Sequence, residues 1–168
     1  MQVKFTVLGE PQGKGRPRFA RIGNHVQTRT PEQTVLYENL IKTEYRRQCG
    51  DFMFPEKKPI SITVYAFFEI PKSVSKKKAA AMLSGEIRPT KKPDYDNIGK
   101  VVSDSLNKVA FYDDAQVVDG LVRKFYSETP GILVVIQSVE YNKNLVEKVI
   151  SLWKKTKAKL YQFGSGGR

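Results

Sequence analysis

The chain has 168 residues, and its 29 Lys plus Arg outweigh 17 Asp plus Glu for a formal net charge of +12. The length suits one domain with its own apolar core, and the charge points to a polyanionic partner, nucleic acid before an acidic membrane surface. A single cysteine, Cys49, excludes a disulfide framework, and a single histidine, His25, argues against zinc catalysis. With no bilayer-length apolar run and no signal peptide at Met1-Gln2-Val3, a cytoplasmic protein without a membrane partner is expected.

Residues 2–9 alternate, with Val3, Phe5 and Val7 on one side, and predict a strand buried on one face. Pro11-Gln12-Gly13-Lys14-Gly15-Arg16-Pro17-Arg18 reads as a basic loop. Thr30-Pro31-Glu32-Gln33 predicts a helix start with Thr30 as N-cap, and Val35, Leu36, Leu40, Ile41 and Tyr45 form its expected apolar face up to Cys49-Gly50. Ile60 to Phe68 is a strong alternating strand that Pro71 ends. Ser73 or Ser75 caps a short Ala- and Lys-rich helix that stops at Ser84-Gly85. A third helix spans about Asp96 to Asn107, with Ile98, Val101, Val102, Leu106 and Val109 as its buried stripe. Val117–Tyr126 and Ile132–Tyr141 read as strands joined through Glu128-Thr129-Pro130-Gly131, which predicts an antiparallel hairpin. The last helix begins near Asn144 with Glu147 in a capping-box pattern, and carries Leu145, Val149, Leu152, Trp153 and Leu160 on one face. Together these elements predict one small α+β domain over 1–162, with a mixed or antiparallel sheet packed by helices, and a flexible tail at 163–168.

Negative charge is concentrated: six of the seven Asp, namely 94, 96, 104, 113, 114 and 119, fall within 94–119. A surface built only to hold phosphates would avoid this. Asp94 and Asp96 point the same way on extended backbone, while Asp96, Lys100 and Asp104 share a helical stripe. Asp113-Asp114 follows one helix length later. Several carboxylates without His or Cys suit a hard cation such as Mg²⁺, which converts an acidic site into one that receives phosphate. Each residue also has an ordinary use: Asp96 as a helix cap, Asp96–Lys100 and Lys100–Asp104 as i,i+4 ion pairs, and Asp113-Asp114 as turn residues. The stretch Gly9 to Gly15 is not a P-loop, because its glycine spacing is one short and Gly15 follows Lys14 where Ser or Thr is needed, so no nucleotide cofactor is expected. Phe111 and Tyr112 beside the acidic pair are core residues or contacts to an unstacked base.

Three blocks occur in order: Lys92-Pro93-Asp94-Tyr95-Asp96-Asn97-Ile98-Gly99-Lys100, Asp104-Ser105-Leu106-Asn107, and Asp113-Asp114-Ala115-Gln116-Val117. With Gly13-Lys14-Gly15-Arg16-Pro17-Arg18, this pattern resembles the RusA family of Holliday junction resolvases over residues 3 to 140. The resemblance implies a homodimeric, Mg²⁺-dependent endonuclease, with Mn²⁺ as a substitute, that cuts four-way DNA junctions by paired symmetric nicks. It implies metal-binding carboxylates at Asp94, Asp96 and the Asp113-Asp114 pair, with Asp114 the principal ligand of the pair. Lys100 corresponds to the catalytic lysine, and Asn97 and Asp104 to supporting positions. Lys14, Arg16, Arg18, Arg21, Lys91 and Lys92 are the candidate phosphate contacts. Gly99 within a helix signals a close backbone approach. Two other readings stay open: a Mg²⁺-dependent nuclease for flaps or forks, and a structure-selective DNA-binding protein without catalysis.

Overall fold

In a computed structural model, which describes residues 1–22 and 25–164 and the side chains of 1–17 and 29–155, four strands form the main sheet. These are β1 (Gln2–Leu8), β4 (Ile60–Glu69), β5 (Val117–Ser127) and β6 (Gly131–Ser138), in spatial order β1-β6-β4-β5. β2 (Arg18–Ile22) and β3 (His25–Arg29) form a separate two-stranded ribbon. The helices are α1 (Glu32–Cys49), α2 (Lys76–Leu83), α3 (Tyr95–Leu106) and α4 (Lys143–Gly164). The molecule is thus a small α+β domain with a mixed sheet.

Alternation builds the sheet's buried face. Phe5 and Val7 of β1, Ile60 to Phe68 at every second position of β4, and Ile132, Val134 and Ile136 of β6 are all at most 5% exposed. Full burial of each such side chain is worth roughly 1.5–3 kcal/mol. α1 packs on β1 and α3, and α3 packs on β4 and β5. As expected, α3 buries Ile98, Val101, Val102 and Leu106; Val109, expected on the same stripe, lies past the helix end and is partly buried. Phe111 belongs to the core, whereas Tyr112 is exposed.

The expected β5–β6 hairpin does not form. β5 and β6 do run in opposite directions, but β4 lies between them, parallel to β5 and antiparallel to β6. The three residues Glu128–Pro130 pass beyond the end of β4 instead of closing a tight turn. The turn signal reported the reversal correctly and the pairing wrongly: β4, buried along its length, needs a partner on each edge. β5 is left as a sheet edge, and its register slips by one residue as it starts, from Ile60↔Val117 to Ser61↔Asp119.

α1 begins one residue later than expected, with Pro31 in the flanking position and no side-chain cap. Its buried face is Thr34, Tyr37, Ile41 and Tyr45, while Val35, Leu36 and Leu40 are exposed. Tyr45 is inside as expected: its hydroxyl donates to the Phe52 carbonyl at 2.6 Å, and its ring meets Phe5 edge-on. Ser75 caps α2 through the Lys78 N–H. α4 is capped by Asn142, whose side chain accepts the Leu145 N–H at 3.1 Å. Leu145, Val149 and Trp153 on α4 are exposed. α4 runs through Gly164, two residues into the segment expected as a tail, and 165–168 lie outside the described residues.

Candidate active site

α3 starts where the segment 88–93, with a cis Lys92-Pro93 peptide, enters the first turn at Asp94. Asp94 occupies the N-cap position, yet its side chain makes no capping hydrogen bond, and Asp96 lies in the first turn. Both are exposed. The expected use of Asp96 as a cap is therefore not what the fold employs. The i,i+4 ion pairs expected of Lys100 are also absent among the described residues, where Lys100 pairs with no carboxylate.

Asp96, Lys100, Ser103 and Asp104 form a stripe that faces a cavity of about 580 Å³ between α3 and the edge strand β5. Asp114 lines the same cavity, and Val117, Gly120, Leu121 and Val122 make its β5 wall. Gly99 keeps the two walls in contact: a Cβ there would lie 3.3 Å from Val122 Cγ2, the close approach foreseen in the sequence. The six clustered aspartates are thus divided. Asp94 and Asn97 line a neighbouring recess with Lys14, Arg16 and Lys92, and Asp113 lines another with Lys57, Lys108 and Tyr112.

Asp113 and Asp114 are adjacent but differently employed. Asp113 caps a single 3-10 turn (Asp114–Gln116), its Oδ1 accepting the Ala115 N–H at 2.9 Å. Gln116, only 8% exposed, anchors that turn from beneath. Its Oε1 accepts the N–H groups of Tyr112 (2.9 Å) and Asp113 (3.2 Å), and its Nε2 donates to the carbonyls of Pro55 (2.9 Å) and Lys58 (3.0 Å). With Asp113 spent on capping, Asp114 is the one delivered to the cavity.

The basic loop is a brace as well as a positive surface. The Lys14 ammonium sits between Glu38 (2.5 Å) and Asp104 (2.8 Å), and its backbone N–H donates to the Asn97 carbonyl at 2.9 Å. Burial alone would lower the Lys14 pKa, but hydrogen bonds and charge from Asp104 and Glu38 outweigh it and raise the pKa. Gly13 permits this fit, since a Cβ there would stand 2.7 Å from Pro93 Cβ. Lys91 pairs with Glu10 at 2.9 Å. Arg16 and Lys92 are exposed and without carboxylate partners among the described residues. Arg18 and Arg21 lie on β2, facing Arg29 and Val26 in register; their side chains are outside the described residues, as is that of His25.

Sequence reasoning passed over Lys124 and Arg88. From β5, Lys124 Nζ donates to the carbonyls of Lys91 and Pro93, the latter at 3.0 Å. Burial lowers its pKa, Asp94 opposes that, and Lys91 adds to it. Arg88 Nε donates to the Lys124 carbonyl at 2.5 Å while its guanidinium lies over the Phe125 ring at 3.9 Å. Neither residue falls within a recognisable block; both sit in ordinary strand or loop sequence.

Among the described residues no group of three or more His, Cys, Asp or Glu side chains is drawn together closely enough to cage a metal. A Mg²⁺-type ion does not need such a cage: it takes one or two carboxylates and completes its shell with water and phosphate oxygens. The cavity's donors, Asp96 and Asp114 with no Cys or His, fit that chemistry.

The family model described as endodeoxyribonuclease RusA matches residues 9–137, from the basic loop to the end of β6. The chain is 41% identical over 139 residues to the uncharacterized protein YqaN of Bacillus subtilis (strain 168), spanning 82% of this chain and 96% of that protein. No helix among the described residues is long and apolar enough to cross a membrane. On the matched span, which takes in every residue of the α3–β5 cavity, the chain belongs to the RusA endodeoxyribonuclease family.

Proposed function

We propose that this protein is a divalent-metal-dependent endonuclease that resolves four-way DNA junctions by paired, symmetric nicks. The observation that carries the reading is the α3–β5 cavity, lined by Asp96, Asp114 and a Lys100 with no carboxylate partner among the described residues, beside a basic surface. In this reading Asp96 and Asp114 hold Mg²⁺, or Mn²⁺ in its place, with Asp94 contributing from the adjoining recess. The metal when bound supplies charge to a phosphodiester that three carboxylates would otherwise repel.

The chain's own residues do the rest. Arg16 and Lys92 hold backbone phosphates and read junction shape rather than sequence, with Arg18 and Arg21 as further candidates from β2, while Lys14 and Lys91 lend positive charge from within their ion pairs. Lys100 directs its ammonium to the phosphate oxygens as negative charge builds on them. Water forms the new O–P bond in line with the departing 3′-oxygen and releases one proton to solvent. The P–O3′ bond breaks, the 3′-oxygen takes up a proton, and the products are a 5′-phosphate and a 3′-hydroxyl. Asp104 and Asn97 serve as supports, Asp104 through Lys14 and Asn97 through its carbonyl. A homodimer brings two such sites to the two strands of a junction related by symmetry. The setting of this reading is the cytoplasm, in DNA recombination and repair.

The test is incubation of the protein with a mobile four-way junction, a fork and a linear duplex, each with Mg²⁺ or with EDTA. Paired nicks in the junction alone, and only with Mg²⁺, are expected. Cutting of the fork in preference to the junction moves the substrate to forks and flaps. Tight junction binding without cleavage under any metal leaves a binding protein.

A further inference from the structure

The segment that delivers Asp94 is fastened to β5 at two points. At one, the Lys124 ammonium donates to the carbonyls of Lys91 and Pro93, with the Phe68 ring 5.2 Å beneath it. At the other, Arg88 reaches back to the carbonyl of Lys124 itself, with its guanidinium over the Phe125 ring at 3.9 Å. A half-buried lysine on an edge strand is ordinarily a solvated residue with its charge in water. Here the charge is turned inward, onto backbone carbonyls, in a place where an apolar side chain could have covered Phe68 without desolvating an ammonium. What the ammonium adds is a pair of donors immediately before Asp94 and a positive charge within electrostatic reach of the Asp94 carboxylate, with no ion pair formed.

We propose that Lys124 is a positioning residue for DNA cleavage: it holds the Lys91–Pro93 backbone so that Asp94 enters α3 with its carboxylate turned toward the site. Its partner Arg88 fixes the strand from which Lys124 reaches. This rests on the metal-dependent reading above. Lys124 acts through Asp94 and touches neither metal nor DNA, so its loss should alter metal use rather than junction affinity.

The experiment compares wild type, Lys124→Met and Lys124→Arg. Mn²⁺ binding to the protein alone is followed by calorimetry, junction binding is measured in EDTA, and cleavage is titrated with Mg²⁺. Lys124→Met should bind Mn²⁺ about 10-fold more weakly or worse, the range seen when a residue that orients metal ligands is removed. Its cleavage should recover at high Mg²⁺, and its junction affinity in EDTA should equal that of wild type. Lys124→Arg, which keeps the donors, should restore most of the Mn²⁺ affinity. Wild-type Mn²⁺ affinity in Lys124→Met overturns the inference while wild-type cleavage stands. A parallel loss of junction affinity also overturns it, by making Lys124 a phosphate contact. A wild type that neither binds Mn²⁺ nor cuts overturns the functional reading, and this inference with it. Should Lys124→Met fail to fold, the wild-type ammonium is read directly by nitrogen NMR, its signal assigned by its absence in Lys124→Arg. A hydrogen-bonded, exchange-protected ammonium that shifts on Mg²⁺ addition is expected, and an unprotected signal indifferent to Mg²⁺ refutes the proposal.

Discussion

Replacing Gln116 by Leu should unmake the turn that presents Asp114. The amide makes four hydrogen bonds, two as acceptor and two as donor, and Leu of similar size makes none. At a net ~1 kcal/mol per bond the ceiling is about 4 kcal/mol. Pro55, Tyr112 and Asp113 are exposed, so some of their backbone groups recover water, and about 2–4 kcal/mol is the working range. For a chain of this length each kcal/mol shifts Tm by roughly 2–4 °C, which places the loss at about 5–15 °C. Calorimetry measures it, and cleavage of a junction at a temperature where the variant is folded measures the displacement of Asp114. Gln116→Glu adds a check on sign. A carboxylate facing the carbonyls of Pro55 and Lys58 is disfavoured, so its folded pKa rises above the ordinary ~4.3. The folded state then holds a proton that the unfolded chain has released. The variant should be most stable below the unfolded pKa and lose stability as pH rises toward the folded one. A Gln116→Leu protein that melts within about 2 °C of wild type and cuts normally would refute the assignment of Gln116 as the anchor.

Three further outcomes are expected. Asp113→Asn should keep both fold and cleavage, since Asn caps as well as Asp, whereas Asp114→Asn should keep the fold and lose cleavage by more than the roughly 10–100-fold that outer-shell losses cost; the opposite pattern in paired melts and nicking assays would exchange their roles. Gly13→Ala forces a Cβ to within 2.7 Å of Pro93 Cβ and should cost about 1–3 kcal/mol as overpacking, read as a fall in Tm. Lys14 has a raised folded pKa, so its contribution is complete below the unfolded value of ~10.4 and is lost as pH climbs through the folded one; the stability difference between wild type and Lys14→Met should therefore shrink at strongly alkaline pH, and a difference that stays constant there would remove Lys14 from the Glu38–Asp104 bridge.

Much of this architecture was legible because it is periodic. β4, with an inward apolar residue at every second position, and α3, with its clean stripe, name themselves. The α1 face was read correctly at Ile41 and Tyr45 but misjudged at Val35, Leu36 and Leu40, because the buried side continues through Thr34 and Tyr37, whose hydroxyls weaken the apolar signal in the sequence. The ribbon of β2 and β3 escaped notice because its sequence, Arg18 to Arg29, is interrupted by charges and lacks strict alternation. In the site, the residue types at Asp94, Asp96, Lys100 and Asp114 were evident from composition and spacing, while their division among three recesses was not. Lys14 looked like a phosphate contact until Glu38 and Asp104, 24 and 90 positions away in the chain, were found on either side of it. Long-range partners of this kind leave no local trace.

The place of β6 has a consequence for how the protein is made. β1 is complete by Leu8, yet its neighbour in the sheet is β6, paired from Gln2↔Gln137 to Leu8↔Gly131. During synthesis at ~5–20 residues per second, the first strand waits on the order of ten seconds for the strand it pairs with. Until β6 slots between β1 and β4, the sheet is two unjoined pieces and the apolar faces of α1 and α3 have no continuous floor. A nascent chain therefore carries the aspartates of α3 before it has anything rigid to mount them on, and the sheet beneath them closes only once β6 has been made.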